Sequence, residues 1–330
     1  MKKFLVLVIL VSLSLPLFAS AGREAAPTTG DWVPTRQIDM VVPYAAGGST
    51  DLLARAVERI WPKYSPQPMR VVNRAGGGGV TGSVFVSNSA PDGYTLVMGY
   101  GSGCDMSMPH LQQLDYDPFA ALTPISLISI HTVMVAVPAD SQFRNLSDIM
   151  EWTRRSGQPA TFASSTANGT IDLTLQAFAK RSGANVIIVP TDGSAVAMTM
   201  LMGGQTMAAG AHPSDVLPQY KGGRIRLVGV AADVRDTAMP DVPTFREQGI
   251  PFHAYGSIKG VAGPKNLPQN IIRYYDGVFK KICEDPEFIQ IMTDMAQPVI
   301  YKNPTDFAAF FRPFKYKAGF VYCFEDLQHC

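Results

Sequence analysis

The sequence lacks most features that would place chemistry on a side chain. Its four cysteines among 330 residues are too few for a disulfide scaffold and form no Cys-x-x-Cys pair. The five histidines are scattered, so neither a metal site nor a cofactor site is expected. No Gly-x-Ser-x-Gly, His-Glu-x-x-His or phosphate-loop motif occurs. With 28 basic against 27 acidic side chains, a strongly basic nucleic-acid binder is excluded.

What is present indicates an exported globular protein. A basic start, the apolar run Phe4–Ala19 and the small residues Ala19-Ser20-Ala21 predict a signal peptide over residues 1–21. A membrane anchor is the alternative, but Pro16 interrupts a run that is already short for a span. No cysteine follows before Cys104, so no lipid anchor is expected. Residues 22–35 are expected to form a flexible leader.

The cysteines leave their redox state open. Cys104, Cys283, Cys323 and Cys330 allow three pairings, and the sequence does not choose among them. Cys323 and Cys330 could close a small terminal loop, or all four could be free thiols.

Strands and helices alternate along the chain, which predicts an α/β fold with mainly parallel sheets flanked by helices. The length suits two domains. An extended apolar segment, Leu122–Pro138, is predicted to cross between lobes, and Ala254–Ala262 to cross back. Lobe I is therefore expected at 36–129 plus 256–330 and lobe II at 130–255, with the two crossings acting as a hinge.

Two turns are candidate anion sites. Ala46–Thr50 and Ser164–Thr170 each follow a predicted strand, begin a helix and are rich in Gly, Ser and Thr. Free backbone N–H groups and the positive end of the helix dipole favour anions at such turns. Both turns fall at the carboxyl ends of parallel strands, where open α/β sheets bind ligands. The alternative is that each is only a well-capped helix start.

A third glycine-rich stretch, Gly77-x-Gly79-x-x-Gly82, matches the dinucleotide-binding pattern and follows a strand. That pattern requires an acidic residue at the end of the next strand, about 20 residues on. Asp92 precedes that position and Asp105 lies beyond it, so nucleotide binding is not favoured.

Five stretches resemble the receptors of tripartite tricarboxylate transporters, the Bug-type solute-binding proteins. In chain order they are Pro43–Arg55, Val72–Gly82, Ala90–Leu96, Asp117–Phe119 with Thr123–Ile125, and Met239–Thr244. Pro91-Asp92-Gly93-Tyr94-Thr95-Leu96 and Pro240-Asp241-Val242-Pro243-Thr244 are the most specific, and the resemblance spans the chain that follows the signal peptide.

The resemblance implies a two-lobed periplasmic binding protein of type II-like, Venus-flytrap architecture, with the ligand cleft between the lobes. It implies a monomer that binds a small organic carboxylate without a cofactor and delivers it to membrane subunits of the tripartite tricarboxylate type. The ligand-binding positions carried over from the family, with the departure at Asp192 added, are Tyr44, Ala46, Gly47, Gly48, Ser49, Thr50, Asp51, Gly101, Ser102, Ser164, Ser165, Thr166, Asn168, Gly169, Thr170 and Asp192.

The chain departs from the family pattern in three places. Thr191-Asp192 stands where the family often has Tyr-Lys, Cys104-Asp105 replaces Thr-His, and Gln205 replaces an acid. We hypothesise that Asp192 or Asp105 meets a ligand ammonium or hydroxyl group, which would favour an amino or hydroxy acid. The alternative is that both are solvated turn acids.

Two other functions stay open from the sequence. An exported enzyme could use the same cleft, although no base-and-nucleophile constellation is seen. The chain could instead be a ligand-sensing subunit that reports occupancy to a signalling partner.

Overall fold

The computed structural model describes residues 31–111, 113, 114, 116–252 and 256–315. The predicted signal peptide, most of the predicted leader, Cys323 and Cys330 lie outside them. Within the described residues, no helix is both long and apolar enough to cross a membrane.

Lobe I is built on a five-stranded sheet with the order β2-β1-β3-β10-β4. Its strands are β1 (Ile38–Val42), β2 (Met69–Asn73), β3 (Thr95–Tyr100), β4 (Leu122–His131) and β10 (Ser257–Pro264). β1 pairs in parallel with β2 and β3, whereas β10 is antiparallel to both β3 and β4.

Lobe II repeats this pattern in the order β7-β6-β8-β5-β9. Its strands are β5 (Val133–Pro138), β6 (Ala160–Ser164), β7 (Val186–Pro190), β8 (Ala208–Ala211) and β9 (Ile225–Ala231). β6 pairs in parallel with β7 and β8, and β5 is antiparallel to β8 and β9. Each sheet is thus mixed, with one antiparallel strand in the fourth position.

Helices cover both faces of each sheet, because each helix buries an apolar stripe. In lobe I, α1, α10 and α11 cover one face, and α2 and α12 the other. In lobe II, α6 and α7 cover one face, and α8 and α9 the other. Their bounds are α1 (Ser49–Ile60), α2 (Val80–Ser87), α6 (Leu146–Ser156), α7 (Thr170–Ser182), α8 (Ser194–Met202), α9 (Pro213–Lys221), α10 (Gln269–Glu284), α11 (Pro286–Asp294) and α12 (Pro304–Phe311). Short helices α3 (Gly103–Met106), α4 (Met108–Leu111) and α5 (Pro118–Ala121) follow β3.

The chain passes between the lobes in extended conformation. β4 ends at His131 in the first sheet and β5 begins at Val133 in the second, so Thr132 alone separates them. The return leads into β10, whose Ser257 pairs with His131. The two connections therefore lie side by side, as a hinge requires.

The end of the expected flexible leader is held in place in the structure. Trp32 makes edge contacts with Tyr94 and Tyr274, at 5.7 and 5.2 Å between ring centroids. Thr35 N–H donates to the Tyr94 hydroxyl at 3.0 Å. Residues 31–35 therefore belong to lobe I, because the aromatic contacts bury Trp32 against its core.

Of the four cysteines, the two that are described are free thiols. Cys104 and Cys283 are both buried. The question of a Cys323–Cys330 bridge falls on undescribed residues.

Candidate functional site

A narrow cleft lined mainly by Ser, Thr and Gly lies between the lobes, with about 440 Å³ of empty space when the open solvent at its mouth is included. Nine of the predicted binding residues line it, namely Tyr44, Gly48, Ser49, Thr50, Ser102, Ser165, Thr166, Gly169 and Thr170. They come from both lobes, so the structure brings the two predicted turns together on one space, as the sequence indicated. The other predicted residues, Ala46, Gly47, Asp51, Gly101, Ser164, Asn168 and Asp192, do not line the cleft.

The lobes touch at the rim of this cleft. The Ser107 hydroxyl of lobe I donates to the Asn168 carbonyl of lobe II at 2.6 Å. A methyl group on Gly103 would lie 2.5 Å from the Gly169 Cα. Only glycine permits this approach of the two backbones, and the lobes are closed on each other.

In lobe I the turn is fixed by a carboxylate beneath it. Asp51 is 2% exposed, and its Oδ2 accepts from the Gly47 N–H and from Arg55 Nε, both at 2.9 Å. Asn73 Nδ2 donates to Oδ1 at 2.9 Å. Burial raises the pKa of Asp51, but the hydrogen bonds from Arg55, Gly47 and Asn73 outweigh it, and the pKa lies below its ordinary value. Asp51 therefore shapes the turn; it does not line the cleft, and its ligand contact stays a prediction.

In lobe II the same arrangement recurs. Asp172 Oδ2 accepts from the Asn168 N–H at 2.9 Å and from Gln176 Nε2 at 2.6 Å. Gly169 precedes α7 with extended backbone angles close to those of Gly48 before α1. Asn168, predicted as a binding residue, instead adopts a positive φ of 58° that forms the bend.

A third loop, after β3, completes the lobe I side. The Ser102 hydroxyl donates to the Ile258 carbonyl at 2.6 Å, which fixes the loop to β10. Asp105 is fully buried, and its Oδ2 accepts from the Gly101 N–H at 3.0 Å. Burial raises the pKa of Asp105 to about 7. Gly101 and Asp105 thus hold the loop from below, and neither lines the cleft.

Asp192 lies outside the cleft. It is exposed and lies in a shallow surface depression with Gly77, Gly78 and Met108. The hypothesis that Asp192 contacts the ligand stays a prediction.

Two further helices begin at the cleft. Gly193 and Ser194, at the start of α8, line it, and so does His212, the N-cap of α9. Together with α1 and α7, four helices of at least eight residues direct their N-termini towards one space. The helix dipoles, together with the N–H groups that begin α1, α7 and α8, make the electrostatic environment favourable to an anion. In α9, Pro213 has no N–H and the Asp215 N–H is bonded to the His212 carbonyl, so α9 contributes its dipole.

Lys259 and Ser257 of β10 also line the cleft, although the sequence did not predict them as binding residues. Lys259 is 2% exposed, and its Nζ donates to Thr50 Oγ1 at 2.8 Å and to Ser257 Oγ at 3.0 Å. Burial lowers the pKa of Lys259 to about 8, against the opposing effect of Asp215 and Cys104. A single charged residue inside an otherwise uncharged strand was the signal that could have found it.

Two histidines meet where the chain crosses between the lobes: His131 ends β4, and His212 lines the cleft. His131 and His212 meet edge-on at 5.6 Å between ring centroids, and His212 Nδ1 lies 2.8 Å from the Thr132 carbonyl. Burial lowers the pKa of His212 to about 3 and holds the pKa of His131 well below its ordinary value. Both rings are therefore neutral at physiological pH.

Two α/β lobes joined by paired extended crossings, with a polar cleft of helix N-termini between them, define a two-lobed periplasmic solute-binding protein. The family described as "Tripartite tricarboxylate transporter family receptor" matches residues 53–321, and this chain belongs to that family. The resemblance to Bug-type receptors is thereby confirmed. The family consists of extracytoplasmic receptors that bind solutes and are not enzymes.

Individual relatives agree with this assignment. Protein BugT of Bordetella pertussis is 30% identical over 257 residues, which cover 78% of this chain and 79% of BugT. A solved periplasmic transporter is 27% identical with a TM-score of 0.80, over 87% of this chain and 96% of its own. MatC from Rhodopseudomonas palustris, solved with malate, shares the fold with a TM-score of 0.80 at 24% identity. The match covers 87% of this chain and 99% of MatC. A second R. palustris protein, solved with adipate, has a TM-score of 0.81 at 23% identity. The match covers 88% of this chain and 97% of that protein.

Proposed function

We propose that this protein binds a small organic carboxylate between its lobes and delivers it to membrane subunits of a tripartite tricarboxylate-type transporter. The observation that carries the proposal is the convergence of four helix N-termini from both lobes on one closed cleft. Main-chain amides at such ends donate hydrogen bonds to a carboxylate without any proton transfer.

Unused hydroxyl groups support an anionic ligand. The Thr170 Oγ1 atom is buried and has no hydrogen-bond partner among the described residues. A buried hydroxyl without a partner costs free energy, which a carboxylate oxygen in the cleft would offset. The malate and adipate bound by two proteins of the same fold are ligands of this chemical class.

Closure of the lobes is the step that a transporter can recognise. A ligand held by Ser49 and Thr50 on one side and by Ser165 and Thr170 on the other stabilises the closed arrangement relative to an open one. The contacts Ser107–Asn168 and Gly103–Gly169 form only when the lobes meet. The ligand-bound receptor therefore presents the transporter with a closed conformation that the ligand-free receptor does not favour.

The binding claim is tested by thermal unfolding of refolded, ligand-free protein with a panel of small mono-, di- and tricarboxylic acids. At least one acid should raise the unfolding temperature, whereas the corresponding uncharged amide should not. Proton NMR of the acid after overnight incubation should show it unchanged. A panel in which no acid shifts the temperature, or in which the acid is converted, would contradict a receptor of this kind.

Delivery and location are tested in cells. Deleting the gene should abolish uptake of the acid identified above, and restoring it with the membrane subunits present should recover uptake. We further propose a periplasmic monomer cleaved after Ala21, which the intact mass of the exported protein and its sedimentation would check.

A further inference from the structure

Two charged side chains from different lobes lie near each other at the cleft. Lys259, on β10 of lobe I, lines the cleft, whereas Asp215, in the first turn of α9 of lobe II, accepts a hydrogen bond from the N–H of His212, which lines it. Each shifts the pKa of the other, so the two charges interact. Among the described residues neither takes part in an ion pair.

Lys259 has only neutral hydrogen-bond partners. Its Nζ donates to the Thr50 and Ser257 hydroxyls and lies 6.0 Å from the centroid of the Tyr44 ring. A buried ammonium that is not paired with an anion is costly, because hydroxyls replace only part of its hydration. Since Lys259 lines the cleft, an anionic group of the ligand can complete its environment.

Asp215 has one satisfied and one unsatisfied oxygen. Its Oδ2 accepts from the His212 N–H at 3.1 Å, whereas Oδ1 is buried without a partner among the described residues. Burial raises the pKa of Asp215 to about 6, and Ser194, the His212 N–H, Lys259 and Ser49 act to lower it. Ser194, Ser49 and His212 line the cleft and Asp215 itself does not, so its carboxyl group lies next to this part of the cleft wall.

We infer that Lys259 and Asp215 recognise the two ends of the ligand: Lys259 pairs with an anionic group, and Asp215 accepts a hydrogen bond from an ammonium or hydroxyl group of the same molecule. The inference rests on the proposed carboxylate-binding function and narrows it. Small amino acids and hydroxy acids should bind more tightly than acids of equal length without a donor, because a donor-free ligand leaves Asp215 Oδ1 unpaired.

Four titratable groups around Lys259 keep their protonation between pH 6 and 9. Burial holds the pKa values of His131 and His212 far below this range. Burial raises the pKa values of the Cys104 thiol and the Tyr44 hydroxyl well above it. Asp105, beneath the loop after β3, has a pKa of about 7 and can also change its charge, so a proton count is assigned to Lys259 or Asp215 only where the matching substitution abolishes it.

The test is calorimetric titration with two matched series of probes. Succinate, L-malate and L-aspartate differ only by hydrogen, hydroxyl or ammonium on one carbon, as do propionate, L-lactate and L-alanine. In at least one series, the wild-type protein should bind a donor-bearing member at least about tenfold more tightly than the unsubstituted acid, the discrimination expected for one unpaired buried acceptor.

Two substitutions test the roles of Lys259 and Asp215 separately. Lys259→Met should weaken binding of every member of that series by at least about thirtyfold, because it removes the charge that pairs with their shared carboxylate. Asp215→Asn should abolish the preference for the ammonium-bearing member while the unsubstituted acid binds as before. Lys265→Met and Asp140→Asn remove exposed charges in lobe I and lobe II, outside the cleft, and should change neither quantity.

Proton counting gives a readout that a merely structural role would not move. Binding an anion raises the pKa of Lys259 above about 8, so titration at pH 8.5 should show uptake of about half a proton or more. An ammonium ligand lowers the pKa of Asp215 from about 6, so titration near pH 6 should show proton release. Lys259→Met should abolish the uptake, and Asp215→Asn the release.

The outcomes distinguish the inference from the function on which it rests. If wild-type protein binds none of the six acids, the carboxylate-receptor proposal fails, and the inference with it. Circular dichroism is used to show that Lys259→Met and Asp215→Asn are folded. If the wild-type protein binds the acids but these two variants leave the affinities and proton counts unchanged, only the inference is overturned.

Discussion

The two turns at the cleft share a backbone design but differ in charge. In each, an aspartate at the third helical position accepts a hydrogen bond from an N–H four residues earlier and from a side chain four residues later. The later partner is Arg55 in lobe I and Gln176 in lobe II. The pKa of Asp51 is consequently lowered, whereas burial leaves the pKa of Asp172 raised.

This difference separates the geometry of a turn from its electrostatics. A carboxylate oxygen is sufficient to fix the bend, and a cation is needed only to keep that carboxylate charged when buried. The threonines differ in the same way, because the Thr50 hydroxyl already accepts from Lys259 while that of Thr170 is unpartnered among the described residues. We expect lobe I to supply rigidity and fixed charge, and lobe II to supply unused donors.

The largest expected effect is on the lobe I turn. Asp51→Asn should lower the free energy of unfolding by about 2 kcal/mol at pH 7. The Asn side chain has an NH₂ group in place of one oxygen, and that group would face a donor from Gly47, Arg55 or Asn73 without a hydrogen bond. Stability from Asp51 is present above the ordinary aspartate pKa and is lost as pH falls through its lowered value, so the gap from wild type should close in acid. Urea denaturation at pH 7 and pH 3 measures this, and an unchanged gap would contradict it.

The next effect concerns the free hydroxyl of lobe II. Thr170→Val keeps the shape of the side chain and breaks no hydrogen bond made by Oγ1 among the described residues. Affinity for the bound acid should fall by about tenfold while stability is unchanged, since a hydrogen bond to a charged group contributes about 1.5 kcal/mol. Titration calorimetry and thermal unfolding check both quantities, and equal affinity would remove Thr170 from the ligand contacts.

A smaller change converts one turn towards the other. Arg55→Gln gives lobe I the partner that lobe II has, and should destabilise by about 0.5 kcal/mol, because the Arg55 side chain is 49% exposed and solvent screens the pair. Urea denaturation at low and high salt measures the loss, which should shrink in high salt. A loss above about 2 kcal/mol would show that the charge, not the acceptor, holds the bend.

The smallest effect is expected at the equivalent lobe II position. Asp172→Asn should leave the free energy of unfolding within about 0.5 kcal/mol of wild type at pH 7, because one oxygen accepts both hydrogen bonds and the buried charge is removed. The same denaturation measurement as for Asp51→Asn applies. Equal losses from the two substitutions would mean that the turns do not differ in the way proposed.

The sequence predicted the two turns and the crossing between the lobes. Strand-turn-helix patterning located both turns. Arg55 follows Asp51 at i, i+4 spacing, the separation at which helical side chains pair, and the structure joins the two at 2.9 Å. The extended segment Leu122–Pro138 was predicted to cross between lobes, and it forms β4 and β5. Each of these features is formed by residues close together in the sequence, so its pattern can be recognised without knowing the fold.

What the sequence did not reveal depends on contacts between distant segments. Helix α9 was missed because Pro218 lies inside it, and a proline there removes a helical N–H. Asp215, carried by that helix, was therefore missed as well. Lys259 reaches the cleft because β10 inserts beside β3. For Asp105 and Asp192, position in a turn does not reveal whether a side chain faces the cleft, the loop or solvent, and the structure shows one buried beneath its loop and the other exposed.

The most direct test of anion binding between the lobes is competitive native mass spectrometry. Refolded protein is offered equimolar small carboxylic acids together with the uncharged amide of each, and the retained mass is identified. The account predicts one acid per chain, no amide, and weaker retention by Thr170→Val. Retention of an amide alongside its acid, or of no acid at all, would contradict it.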